Sequence, residues 1–225
     1  AEYRHNDGER FLDAAQNAHV VANAERYYRV MYYGSRASWN LRDGHMFDTL
    51  RNVMQHKGAA AKAVVWAHNS HIGDASATEM SARGEHNIGE LCRKYFGDKS
   101  YRIGFGTDHG TVAAASDWNG AMERKQVRPA HPQSYERQFH LTNTPGLILP
   151  LGAGLDNRLH QQLLEPKLQR AIGVIYRPQS ELQSHYFEAI LPRQFDEYIW
   201  IDRTTAVTAL STNELQGMPD TYPFG

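Results

Sequence analysis

Residues Val64 to Asp74 read VVWAHNSHIGD. Val64, Val65, Trp66 and Ala67 form an apolar run of β-branched and aromatic residues, the composition of a buried strand. His68, Asn69, Ser70 and His71 follow at once, and Gly73 with Asp74 breaks the regular chain. A buried strand that ends in imidazoles delivers titratable groups to a sheet edge, where open α/β proteins bind ligands. The stretch is therefore expected to supply both a core strand and a site.

Working outward, Asp43 to Gly58 (DGHMFDTLRNVMQHKG) carries Met46, Phe47, Leu50, Val53 and Met54 at amphipathic helical spacing, with Gly58 as the stop. With the following GAAAKAVVWAHN, it gives helix, link and strand, half of a βαβ unit. Asn87 to Phe96 repeats the theme, with Ile88, Leu91, Cys92, Tyr95 and Phe96 on one side, Gly97 as the stop and YRIGFG as a second strand. TVAAA (Thr111 to Ala115) reads as its partner, and Asp117 to Pro132 as a surface lid or rim. Ser134 to His140 is expected to be a short helix, capped by Ser134 with Glu136 in its first turn. GLILPL, RAIGVIY and YIWID are the third, fourth and fifth strands, and a helix over Asn157 to Leu168 ends or bends at Pro166. Phe11, Ala15, Ala18, Ala22, Tyr27 and Met31 mark an amino-terminal helical stripe in a chain that starts without Met, between elements of a larger fold. Ser211 to Gly225 reads as a polar, Pro-rich tail. Alternating strands and helices predict an α/β protein with a mostly parallel sheet covered on both faces.

The bulk properties exclude several classes. The 225 residues suit a single globular unit with a real core. With 24 basic and 25 acidic residues the formal charge is -1, so no global field attracts nucleic acid or an anionic membrane. No apolar stretch approaches the roughly 20 residues that cross a bilayer. Cys92 is the sole cysteine, which excludes an internal disulfide and fits a reducing, cytoplasmic setting. Its place on a helix face makes it a packed thiol rather than a nucleophile.

The candidates for chemistry cluster in two places. In WNLRDGHM, Asp43 is expected to cap the following helix and leave Arg42 outside it, free to project a guanidinium into a cleft near the histidines. His68 and His71 can serve as general acid or base. As metal ligands they need a further group, for which Asp74 or Asp43 is placed, and as structural residues they satisfy backbone at a strand end. Asn69, Asp43, His109 and Glu136 are the candidates for holding substrate. His109 and Asp108 lie in GFGTDHGT, which lacks the lysine of a phosphate-binding loop and reads as a turn at a strand end. No Gly-x-Ser-x-Gly elbow is present, so water must be the attacking nucleophile in any hydrolysis. No cofactor is expected.

NLRDGHMFDTL, AVVWAHNSHIGD, NIGELCRKYFGDKSYRIGFGTDHGTVAAASDW, SYERQFH and RAIGVIYRPQSELQSHYFEAILPRQFDEYIWID resemble, in this order, the C-terminal half of the erythromycin esterase-like family. The likeness covers most of the chain and is nearest to members joined to a phosphoribosyltransferase-like domain. It implies a three-layer α/β/α fold with a mostly parallel sheet and an active cleft at strand ends. It also implies ester hydrolysis of macrolactones, the chemistry of macrolide antibiotic resistance. By that resemblance the family's functional histidine falls on His68 or His71, and the arginine of its N-x-R-D motif on Arg42. The family's amino-terminal Gly-Glu-x-x-His-Gly motif is not in this sequence. Residues 1–225 are accordingly expected to be one erythromycin esterase-like domain, a C-terminal portion without the amino-terminal catalytic segment. The expected activity is hydrolysis of a small-molecule ester by histidine-activated water. The expected partner is the missing part of the same domain, with no nucleic acid and no membrane. The alternative is a non-hydrolytic module that holds a metal or haem through His68 and His71.

Overall fold

The computed structural model describes residues 8–32, 34–152 and 155–208; the expected tail at Ser211 to Gly225 lies outside them. The amino-terminal stripe forms α1 (Gly8–Met31), and the next helix, α2, spans Ser35–Lys57. The two run antiparallel, with Lys57 Nζ 2.6 Å from Glu9 Oε1. Gly58 ends α2 with φ 93°, and its N–H bonds the Met54 carbonyl, as its sequence position predicts. The helix begins eight residues before Asp43, so Arg42 and Asp43 both lie inside it, against the expectation that Asp43 caps it and leaves Arg42 outside.

A short helix, α3 (Asn69–Ile72), and α4 (Ile88–Phe96) follow. Asn87 caps α4, its side chain accepting the Glu90 N–H, and Gly97 stops it at φ 56°. Four later helices follow: α5 (Tyr135–His140) and α6 (Asn157–Leu163), where the sequence places helices, and the short α7 (Glu181–Ser184) and α8 (Leu191–Gln194), which it does not. Ser134 caps α5 through the Arg137 N–H, and α6 ends before Pro166.

The strands are β1 (Ile103–Gly106), β2 (His109–Ala114), β3 (Glu123–Val127), β4 (Gly146–Pro150), β5 (Lys167–Arg170), β6 (Tyr186–Ala189), β7 (Glu197–Ile201) and β8 (Arg203–Thr204). They form sheets ordered β1-β7-β4, β3-β2-β8 and β5-β6. β2 pairs antiparallel with β3, from Gly110 opposite Val127 to Ala114 opposite Glu123, and parallel with β8. The content is that of an α/β fold, with small sheets of mixed direction rather than one clearly parallel sheet.

Three strand expectations are corrected. Val64 to Ala67 forms no regular element and joins no strand among the described residues, and Val64 and Trp66 are 92% and 89% exposed. An apolar run becomes a strand only if a neighbour takes up its backbone groups. RAIGVIY is not a strand beyond Arg170: the ladder belongs to KLQR before it, and only Ile175 bridges onward, to Ala115. The surface excursion at Asp117 to Pro132 contains β3, whose polar ERKQV sequence hid it.

The chain divides into two compact units. One comprises Ala1–Gly104, Leu149–Pro166 and Glu188–Tyr198, the other Phe105–Ile148, Lys167–Phe187 and Ile199–Gly225. In the first, Arg102 is buried at 4% exposure and held by Asp74 at 3.1 Å and by Asp196 at 3.1 Å, while Arg93 closes on Asp196 at 2.7 Å. A buried guanidinium is tolerable because two carboxylates share its charge. In the second, Ala114, Val127 and Tyr176 form a core cluster against Val112 and Ile172.

Candidate active site

Helix α2 places Trp39, Arg42 and Asp43 at i, i+3 and i+4, on one face. Asp43 is fully buried. Both of its oxygens lie 3.0 Å from His71 Nδ1, and Oδ2 also accepts the Ile88 N–H at 3.1 Å. A carboxylate only accepts, so the His71 proton sits on Nδ1. Arg42 Nη2 lies 3.3 Å from His71 Nε2. A guanidinium only donates, so Nε2 offers its lone pair. The two contacts select one neutral tautomer.

The Trp39 ring stacks on the His71 ring at 4.7 Å and 10° and lies under the Arg42 guanidinium at 5.3 Å. Trp39 is itself fixed by its indole N–H, which donates to the His86 carbonyl at 2.9 Å. His71 keeps 17% of its side chain exposed, so the ring is oriented yet reachable.

His68 caps α3: its Nδ1 accepts the Ser70 N–H at 3.2 Å and lies 2.9 Å from Ser70 Oγ. With Nδ1 accepting, a neutral His68 carries its proton on Nε2. The two imidazoles are thus held in opposite tautomers, one presenting an N–H and the other a lone pair. Asn69 stands between them in α3, partly buried.

The structure therefore gathers Arg42, Asp43, His68, Asn69 and His71 in the first unit. His109 and Glu136 belong to the second. Glu136 is 1% exposed and accepts the Arg170 N–H at 2.9 Å; burial pushes its carboxyl up to about 7. Burial likewise pushes the Cys92 thiol up to about 11, which keeps it protonated and unreactive, as a packed thiol should be.

Trp39 carries no role in the sequence expectations, Asp43 enters them as a helix cap and a candidate metal or substrate ligand rather than as the group that orients His71, and Asn87 enters only as the start of a helix. Asn87 is 1% exposed and ties the start of α4 to α3, donating to the Ser70 carbonyl at 2.7 Å and accepting from Ala75 N at 3.3 Å. Only the i, i+3, i+4 spacing in WNLRD hinted at the first two.

The second unit holds another group of ligating side chains. Asp108 Oδ2 lies 3.1 Å from His109 Nδ1, and His140 Nδ1 lies 2.7 Å from Asp202 Oδ1. A polar residue directly after an apolar strand would have flagged Asp202 behind YIWI, by the rule applied to His68.

The erythromycin esterase family model matches residues 1–204, and the chain belongs to that family. Solved structures similar to it include a Bacillus cereus protein, at 18% identity and TM-score 0.63 over 75% of this chain and 39% of that one. A succinoglycan biosynthesis protein matches at 19% identity and TM-score 0.64, over 76% and 40%. A mutant of the erythromycin esterase EreC in its open conformation matches at 13% identity and TM-score 0.55, over 79% and 41%. At these identities the likeness is one of fold, and the chain spans about 40% of the length of these structures.

Proposed function

We propose that the chain carries part or all of the site of an ester hydrolase, in which His71 activates water for attack on an ester or macrolactone carbonyl. The observation that carries this is the bidentate hold of Asp43 on His71 Nδ1, which aims the lone pair of Nε2 away from the carboxylate. An imidazole so oriented accepts a proton from water, and the buried carboxylate stabilises the imidazolium that results. Arg42 supplies the positive charge. It rests against Nε2 before substrate arrives and, by turning to the carbonyl oxygen, both frees the base and stabilises the developing oxyanion. The His71 imidazolium then gives its proton to the leaving alkoxide and is restored as the base, while His68, with its proton on Nε2, suits a hydrogen bond to the substrate and Asn69 suits its orientation.

Membership of the erythromycin esterase family supports hydrolysis as the class of reaction. Macrolide esters as substrates, a cytoplasmic setting, a partnering amino-terminal part of the domain and a complete three-layer α/β/α sheet are proposals drawn from the same kinship. No helix of the described residues is long and apolar enough to cross a membrane. The metal- or haem-holding alternative gains nothing from the geometry, since Asp43 and Arg42 occupy both ring nitrogens of His71 and a cation would meet the guanidinium. Incubation with macrolactones and simple esters, followed by mass spectrometry, is the test. A ring-opened macrolactone heavier by one water, or the acid and alcohol of a simple ester, supports the proposal, and the absence of acid product from every ester contradicts it.

A further inference from the structure

We propose that Asp108, His109, His140 and Asp202 form a binding site for one divalent transition-metal ion, zinc in the first instance. One ligand atom from each of the four lies within 4.8 Å of every other. Asp108 and His109 stand where β1 gives way to β2, His140 ends α5, and Asp202 occupies the bend between β7 and β8. The main chain ties the two bends together. The N–H groups of Asp108 and His109 both donate to the Asp202 carbonyl at 3.2 Å, and the Thr107 hydroxyl reaches it at 3.3 Å. The positions of three of the four ligands thus rest on backbone bonds rather than on chance encounters of long side chains.

The anchor is Asp108, whose side chain is 2% exposed. Its Oδ1 accepts the Ala130 N–H at 3.2 Å and lies 3.5 Å from Arg137, which commits that oxygen to the protein. Oδ2 is left facing the imidazoles, 3.1 Å from His109 Nδ1 and 3.7 Å from His140 Nδ1. Asp202 Oδ1 closes on His140 Nδ1 from the other side at 2.7 Å. The rings of His109 and His140 meet edge to face at 5.9 Å. The side chains of His109, His140 and Asp202 are 33%, 34% and 25% exposed, so an ion can enter and a water can complete its shell.

Chemistry favours a metal over an ordinary ion-pair cluster. Surface ion pairs of His and Asp stabilise little, yet here a carboxylate is buried beside two imidazoles. In the metal-free arrangement the ring protons bridge these carboxylates. A dication replaces those protons, and two carboxylates neutralise it. Two nitrogens and two oxygens suit zinc at about 2.0–2.2 Å, and also cobalt or manganese. Such bonds require the four side chains to draw inward by rotamer adjustment.

The test uses the whole protein, stripped with chelator and then titrated with zinc by calorimetry and elemental analysis, with cobalt as a spectroscopic probe. One zinc per chain at micromolar affinity or tighter is expected, together with a raised melting temperature and a visible cobalt spectrum of mixed nitrogen and oxygen ligation. Asp202→Asn and His140→Gln should each weaken binding by about tenfold or more, whereas His71→Asn should bind zinc as the native chain does. The absence of stoichiometric zinc and of a cobalt spectrum in the native protein would overturn the site whatever the fold of the variants. So would undiminished binding in Asp202→Asn, or loss of zinc in His71→Asn.

Discussion

At His71 the two ring nitrogens have opposite duties, and neighbours on one turn of α2 assign them. Sequence made His68 and His71 legible because they follow directly on an apolar run. It could not tell which histidine is oriented, because that depends on a carboxylate 28 residues away along the chain. Glu136 offers a test at the same scale. Its carboxyl titrates at about 7 against an ordinary 4.5, because burial disfavours the charged form. The folded state holds this proton more tightly than the unfolded state. Its contribution to stability is therefore complete below about pH 4.5 and disappears as pH rises through about 7, an effect of up to about 3 kcal/mol. Glu136→Gln keeps a carbonyl for the Arg170 N–H and removes the titration. Denaturant melts should show the variant gaining on the native protein between about pH 5 and pH 8. Parallel pH dependences in the two proteins would refute the assignment.

Among the elements, those that end in local chemistry were readable and those that depend on distant partners were not. Gly58, Gly97 and Ser134 mark helix ends through bonds to their own neighbours, which makes them legible in the sequence. KLQR forms β5, although RAIGVIY looks the better strand, because partners distant in sequence take up its polar groups. Arg170 is satisfied by the carbonyls of Thr107, Asp108 and Arg128 and by Glu181. The start of α4 is the element on which the candidate site most depends. A Cβ on Gly89 would fall 2.2 Å from the Ile72 carbonyl oxygen and 2.3 Å from that of Gly73. Backbone oxygens cannot swing aside, so Gly89→Ala must push α4 from α3 and stretch the Ile88 contact to Asp43. A loss of about 2–3 kcal/mol in unfolding free energy is expected, with weakened hydrolysis. Native stability in this variant would show that the close approach is not required.

Across the whole molecule, Val64 and Trp66 of the apolar run lie exposed, and the chain covers about 40% of the length of the structures it resembles. An exposed apolar segment promotes association. Trp66→Lys should raise the concentration at which light scattering appears while leaving the melting temperature within about 2 °C of native. A large fall in melting temperature would mean that Trp66 is part of a core after all. Asp43 and His71 are proposed as the water-activating pair, and the decisive measurement is the ester-hydrolysis kinetics of the native protein beside His71→Asn. The predicted result is ester turnover by the native chain that falls about 10²–10⁴-fold in kcat in the variant, with KM little changed. Equal turnover by the two proteins would contradict it.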